Sequence, residues 1–88
     1  MENQLISIII PLYNAQGYID HIVPCVMQQT YPNLEILLVN DGSSDDTLEK
    51  CQAYQAHDGR IRVLSQKNGG VGAARNYGLA QARGDYVS

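Results

Sequence analysis

Two stretches of this chain, residues 5–12 (LISIIIPL) and 34–40 (LEILLVN), are apolar at nearly every position instead of at every second one. The first holds four isoleucines and two leucines in eight residues. Such residues favour the pleated backbone, and an uninterrupted run means that both faces of the strand are covered. A strand covered on both faces needs a layer on each side, and in a chain of 88 residues the helices between the strands must supply it. The fold class that follows is α/β, a mostly parallel sheet with alternating helices. Neither run approaches the roughly 20 apolar residues that cross a bilayer.

The segments between the runs carry the expected helical pattern. Ile19, Ile22, Val23, Val26 and Met27 recur at i, i+3, i+4, i+7 and i+8, the apolar stripe of an amphipathic helix. Pro24 lies inside that stripe and predicts a kink or a late start, and Tyr31-Pro32-Asn33 predicts an end by Thr30. After Asp41-Gly42, Ser43 or Ser44 is expected to cap a second helix, with Asp45 and Asp46 at its positive end and Leu48, Cys51, Gln52 and Gln55 on one face. It should run to about His57, followed by a short strand over 61–64. Asn68-Gly69-Gly70 then opens a third helix whose inner face carries Val71, Ala74, Gly78 and Ala82. Gly84 is placed at the left-handed position that closes this helix, and a fourth strand starts at Asp85. Cys25 and Cys51 lack metal or redox spacing and are expected to be small buried hydrophobes.

Six Lys and Arg against nine Asp and Glu give a net charge of -3, with no basic stripe for a phosphate backbone, so nucleic acid is not an expected partner. The first residues carry no basic head of a secretory signal, and a cytoplasmic address is expected. A chain this short buries about 60–65% of its unfolded surface. Its last residues, Asp85-Tyr86-Val87-Ser88, read as the opening of a strand, so the chain is expected to be the front part of something longer.

In an open parallel sheet, ligands bind beyond the carboxyl ends of the strands. Three groups of residues fall there: Pro11, Tyr13 and Asn14; Asn40, Asp41, Gly42, Ser43 and Ser44; and Gln66, Lys67, Asn68, Gly69 and Gly70. Tyr13 offers a flat face for a base, and Asp41 a fixed acceptor for an N–H or a ribose hydroxyl. Lys67 and the N–H groups around Gly69-Gly70 offer neutralisation of a diphosphate. The same residues also have structural readings: Asp41 to Ser44 as a turn and helix cap, Asn68 to Gly70 as a turn, Arg75 and Asn76 as partners of a neighbouring carboxylate or loop. His21 and His57 read as solvated, and Asp45-Asp46 as a response to the helix dipole. A dinucleotide fingerprint and a P-loop are both missing from the sequence.

Four blocks, residues 7–15 (SIIIPLYNA), 28–36 (QQTYPNLEI), 39–47 (VNDGSSDDT) and 68–78 (NGGVGAARNYG), closely resemble the family 2 glycosyltransferases of the GT-A fold, in order and with matching gaps. The resemblance covers essentially the whole chain. It implies that residues 1–88 are the Rossmann-like, nucleotide-sugar-binding portion of a GT-A domain, truncated before the DXD motif. It implies an inverting transferase that moves a sugar from a nucleotide-diphospho-sugar donor, preferably a UDP-sugar, to a glycan or lipid-linked acceptor in polysaccharide or cell-surface glycan synthesis. Pro11 and Tyr13 match the nucleoside pocket and Asp41 the aspartate that binds uracil or ribose, while Asn14, Gly42, Lys67, Asn68, Gly69, Gly70 and Arg75 complete the expected nucleotide-binding set. A divalent cation, Mg²⁺ or Mn²⁺, is expected on carboxylates just after Ser88, and the general base further on. No catalytic or metal-binding residue is therefore expected within the chain, and the 88 residues alone are expected to bind nucleotide weakly and turn nothing over. The competing reading is a non-catalytic nucleotide-binding or interaction module that ends at Ser88 and pairs its open sheet edge with a second copy as a homodimer. A sugar-phosphate nucleotidyltransferase is a third, disfavoured by the missing glycine-rich loop with a basic residue after the first strand.

Overall fold

The computed structural model describes residues 4–29 and 31–87; the expected helix limit at Thr30 and the chain end at Ser88 lie outside the described residues. Strands and helices alternate as β1 (Ile6–Leu12), α1 (Ile19–Met27), β2 (Leu34–Asp41), α2 (Thr47–His57), β3 (Ile61–Gln66), α3 (Val71–Gln81) and β4 (Tyr86–Val87). The strands are all parallel, in the order β3-β2-β1-β4. The chain thus steps outward from β1 through β2 to β3 and then returns to the other side of β1. A constant hand of crossover requires the covering helix to change face at that reversal, and it does. One core cluster joins β-strand residues Leu12, Ile36, Leu38 and Ile61 to Ile19 and Val23 of α1 and Cys51 of α2; the other joins Ile9, Leu37 and Val39 to Ala74 of α3.

β2 explains why its sequence is apolar without alternation, because all eight of its residues are buried. Its even positions face α1 and α2 and its odd positions face α3, as the two clusters show. Gly78 is where α3 sits closest to the sheet. A Cβ there would come within 2.6 Å of Ile9 Cγ2, so the small residue sets the distance between helix and strand.

Polar ties hold the other end of the sheet. Ser7 is fully buried and its hydroxyl donates to Glu35 Oε1 at 2.9 Å, Glu35 is 5% exposed, and Arg62 Nη1 meets Glu35 Oε2 at 2.7 Å. The Arg83 N–H donates to Glu35 Oε1 and the Gly84 N–H to Ser7 Oγ. Burial alone would raise the Glu35 carboxyl, but the Arg83 N–H, Arg62 and Ser7 overcome it and hold the group below its ordinary 4.5. This buried network fixes the segment that leads into β4. At the end of α1, Arg60 does similar work: its Nη2 donates to Met27 O at 2.7 Å and its Nη1 to Gln29 O at 3.0 Å, while Asp58 holds the guanidinium. The carbonyls left over at that helix end are thereby satisfied.

Several expectations need correction. α1 runs through Pro24 from Ile19 and does not start late. Cys25 is exposed and only Cys51 is buried, because position 25 lies about 200° around the helix from buried Val23. Burial pushes the Cys51 thiol up to about 11, so it is an inert packing group. α2 starts at Thr47, not after Ser43 or Ser44; the Thr47 N–H donates to Asp45 Oδ1 at 3.0 Å. Gln52 and Gln55 are exposed, although Gln55 Oε1 accepts the Val63 N–H. β3 extends two residues further than expected, to Gln66. Extended Ala82 ends α3, so the stop falls ahead of Gly84, and Ala82 lies outside the helix. Among the described residues no helix is long and apolar enough to cross a membrane.

Candidate functional site

The carboxyl ends of β1, β2 and β3 bring the three predicted groups together on one edge of the sheet. The connections there are tied to one another by side chains from far along the sequence. The Asn14 N–H donates to Ser43 Oγ at 3.0 Å, and Asn14 Oδ1 accepts the Ser44 N–H at 2.8 Å. The Ala15 N–H donates to buried Thr47 Oγ1 at 2.7 Å, and Gln16 exchanges bonds with Asp45 and Asp46. Asn14 adopts a positive φ of 47° to make these contacts, a conformation that asparagine tolerates. Ser43, Ser44, Asp45 and Thr47 therefore stitch the loop after β2 to the loop after β1. They are not a simple helix cap.

Asp41, the last residue of β2, faces the α3 side of the sheet and is only 3% exposed. Its Oδ1 accepts Gln66 Nε2 at 2.8 Å and the Gly69 N–H at 2.8 Å, and its Oδ2 accepts the Gly70 N–H at 3.0 Å. These donors, Gln66 foremost and then Gly69 and Gly70, outweigh burial and hold the carboxyl below its ordinary 3.8. Asn68 Nδ2 donates to the Asp41 carbonyl at 3.1 Å. The expected phosphate role of the Gly69 and Gly70 N–H groups is thereby corrected, since the Asp41 carboxylate already takes both. Gly70 opens α3 at φ 94°, ψ 166°, and Gly42 has φ 66° with its missing Cβ 2.4 Å from Asn68 N. At Gly42 the two loops close on each other through bare backbone, whereas at Gly70, where a Cβ would meet nothing within 4 Å, the positive φ alone favours glycine.

Beside Asp41 lies a pocket of about 180 Å³ lined by Pro11, Leu12, Tyr13, Tyr18, Asp41 and Val71. Among the described residues four large apolar or aromatic side chains are exposed, Tyr13, Tyr18, Val71 and Leu79, and the first three line this pocket. Tyr13 is 50% and Val71 72% exposed, which corrects the expectation that Val71 packs inward. Val71 is the first residue of α3; it shares the inner face of the helix with Gly78 but overhangs the strand ends, where no sheet remains to cover it. Tyr18 carries no motif of its own and was in none of the predicted groups, the exposed aromatic just before α1 being the signal that finds it; Gln66 was expected at the strand ends but not in the nucleotide-binding set.

Of the remaining predicted residues, Pro11 lines the pocket. Asn14 is committed to the loop tie described above, and Gly42 and Asn68 to the closure beside Asp41. Lys67 and Arg75 are exposed and, among the described residues, have no ion pair; the structural partner considered for Arg75 is not a carboxylate. Arg75 follows Val71 by one helical turn and shares its face. His21 and His57 are exposed as expected. Among the described residues no group of three or more His, Cys, Asp or Glu could hold a metal ion.

The sequence profile described as Glycosyl transferase family 2 matches residues 7–88. The chain is 44% identical over 87 residues to glycosyltransferase GlyG of Streptococcus pneumoniae serotype 4, covering 98% of this chain and 29% of GlyG. It is 43% identical over 83 residues to chondroitin synthase of Escherichia coli, covering 94% of this chain and 12% of that protein. Among solved structures, that of S. aureus TarS 1-349 in complex with UDP-GlcNAc superimposes with a TM-score of 0.86 at 33% identity, covering 94% of this chain and 25% of that one. The chain therefore spans less than a third of the length of these proteins.

Proposed function

Because this chain belongs to glycosyl transferase family 2, we propose that it forms the donor-nucleotide half of a sugar-transferase site, with a UDP-sugar as donor. The observation that carries the reading is the pocket itself: Tyr13, Tyr18 and Val71 expose apolar surface around a buried, ionised Asp41 at the carboxyl edge of a parallel sheet. Flat apolar walls suit a base, and the carboxylate suits its N–H or a ribose hydroxyl. At about 180 Å³ the pocket is smaller than the roughly 300 Å³ at which whole-ligand sites begin, so it takes the nucleoside end and leaves the sugar to other walls. The complex of TarS with UDP-GlcNAc supports uracil as the base. Lys67 and Arg75, exposed and without ion pairs among the described residues, are the basic groups we assign to the diphosphate.

The reaction proposed for the whole protein is inverting transfer: an acceptor hydroxyl oxygen bonds to the anomeric carbon of the sugar as the bond to the diphosphate oxygen breaks. The acceptor proposed is a growing glycan or a lipid-linked saccharide, a reading supported by the resemblance to chondroitin synthase. A general base and a Lewis acid are needed for this step. The described residues do not form a metal site, so no step is assigned to a cation here. The test is a screen of UDP-sugars and purine nucleotide sugars with the full-length protein, reading release of the nucleoside diphosphate with and without added acceptor glycans. Protein-dependent UDP release that falls about fivefold or more in kcat/KM for Tyr13→Ala supports the reading, the scale being that of lost base stacking, about 1–3 kcal/mol. Release from purine nucleotide sugars alone, or a Tyr13→Ala variant as active as the parent, overturns it.

A further inference from the structure

A carboxylate has about four acceptor positions, two on each oxygen. In Asp41 three are filled: Gln66 Nε2 and the Gly69 N–H both donate to Oδ1, and the Gly70 N–H donates to Oδ2. Oδ1 is saturated and one position on Oδ2 remains, on a residue that lines the pocket. Two of the three donors are backbone groups of the loop before α3. The third is a side chain on β3, and Asp41 and Gln66 are register partners on the last rung of the β2–β3 ladder. The terminal torsion of an aspartate is soft, so the direction in which the free acceptor points is decided by the donors around it.

We infer that Gln66 is a positioning residue for donor binding, and that by saturating Oδ1 from the neighbouring strand it keeps the unused acceptor of Asp41 on Oδ2, turned to the ligand. The inference rests on the nucleotide reading of the pocket. It goes further by giving a role to a residue that touches no ligand and by making the acceptor geometry depend on a cross-strand pair. Gln66 suits the task because its backbone is held in the ladder, which fixes the amide more firmly than a loop residue would. Loss of the amide leaves the Gly69 and Gly70 N–H groups alone to hold the carboxylate, which can then turn about its soft terminal torsion and carry the unused acceptor away from the ligand. Asp41 is the single carboxylate lining the pocket among the described residues; Tyr13 and Tyr18 line it too, and Lys67 is exposed beside Gln66.

The experiment is a titration of UDP into the full-length protein between pH 5.5 and 8, with a melting curve for each variant. Gln66→Met keeps the length and removes the donor; its Kd for UDP should rise about tenfold, which is about 1.4 kcal/mol. Gln66→Glu places a second carboxylate against Asp41. At pH 8 both are ionised and repel, so binding should be weak. As the pH falls the pair takes up a proton, a hydrogen bond between the introduced carboxyl group and Asp41 stands in for the lost amide, and affinity relative to the parent at the same pH should recover severalfold, the parent carrying the titration of the UDP phosphate itself. A packing role alone would lower the melting temperature without this recovery. UDP binding by Gln66→Met equal to the parent's, or a Gln66→Glu affinity whose ratio to the parent's does not change with pH, overturns the inference. Asp41→Asn separates the two levels: if it binds UDP as tightly as the parent, the nucleotide reading of Asp41 fails, whereas weak binding by Asp41→Asn with intact binding by both Gln66 variants refutes the role of Gln66 alone.

Discussion

Substituting alanine for Gly42 perturbs the point at which the loop after β2 touches the loop before α3. The residue sits at φ 66°, and a Cβ there would lie 2.4 Å from Asn68 N, 2.9 Å from Asn68 Cα and 3.0 Å from Asn68 Cβ. Holding a residue with a Cβ in the left-handed region costs about 1–2 kcal/mol. The contact adds to this, since two of the three atoms met are backbone and cannot swing aside; relieving such overpacking costs about 1–3 kcal/mol. The sum, about 2–5 kcal/mol, is a large part of the roughly 4–13 kcal/mol that a unit of 88 residues commands. The displacement has a direction as well as a size. Pushing Asn68 away draws Gly69 and Gly70 off the Asp41 carboxylate, so nucleotide affinity should fall together with stability. Urea unfolding of the full-length protein, followed by UDP titration under native conditions, reads both effects. Gly59→Ala is the control, because a Cβ at Gly59 meets nothing within 4 Å, and a surface change of that kind stays within about 0.5 kcal/mol. If Gly42→Ala costs no more than Gly59→Ala, the close approach of the two loops is wrong.

Other outcomes follow from the packing and the charges. Glu35→Leu should cost about 3 kcal/mol at pH 7, because Arg62, the Arg83 N–H and Ser7 lose a buried partner. The Glu35 carboxyl is depressed below its ordinary 4.5, so its stabilisation is complete above that value and disappears as pH falls through the lower folded one; urea midpoints of parent and variant should converge at acid pH, and a constant gap from pH 7 to pH 3 counts against the network. Two alanine substitutions within α3 should differ in sign: Gly72→Ala gains up to about 1 kcal/mol of helix propensity in open space, whereas Gly78→Ala loses more than that gain by driving its Cβ into Ile9. Equal melting temperatures for the pair would contradict the packing of α3 on β1. Arg60→Lys keeps the charge but not the planar fork that spans Met27 O, Gln29 O and Asp58; thermal unfolding should show a loss of about 1–2 kcal/mol, and an unchanged melting temperature would show that the α1 terminus needs no guanidinium.

The strands and the order of elements were legible because burial on both faces leaves a direct mark on composition, as the run of residues in β2 shows. Small residues also predicted how α3 would lie, since Ala74 and Gly78 are buried against the sheet. Where the reading missed, the deciding partner was distant in sequence. Ser43 and Ser44 looked like local caps, yet their partner Asn14 is about 30 residues away. Val71 fitted the inward period of α3, but period alone does not say where the sheet ends beneath a helix. Gln66 is one of several polar residues expected beyond the third strand until the register places it opposite Asp41. Of the residues that line the pocket, Pro11, Tyr13 and Asp41 were named from the sequence and Tyr18 was not, while the bonds that arrange them came only with the fold.

On the function proposed above, Asp41 offers its spare acceptor to a uridine nucleotide in the pocket. Calorimetric titration of UDP into the parent protein, Asp41→Asn and Asp46→Asn tests it most directly, because both substitutions remove one negative charge at nearly constant volume, and Asp46 is exposed at the start of α2. At least a tenfold rise in Kd is expected for Asp41→Asn and a Kd within twofold of the parent for Asp46→Asn. Equal affinities for all three proteins would contradict it.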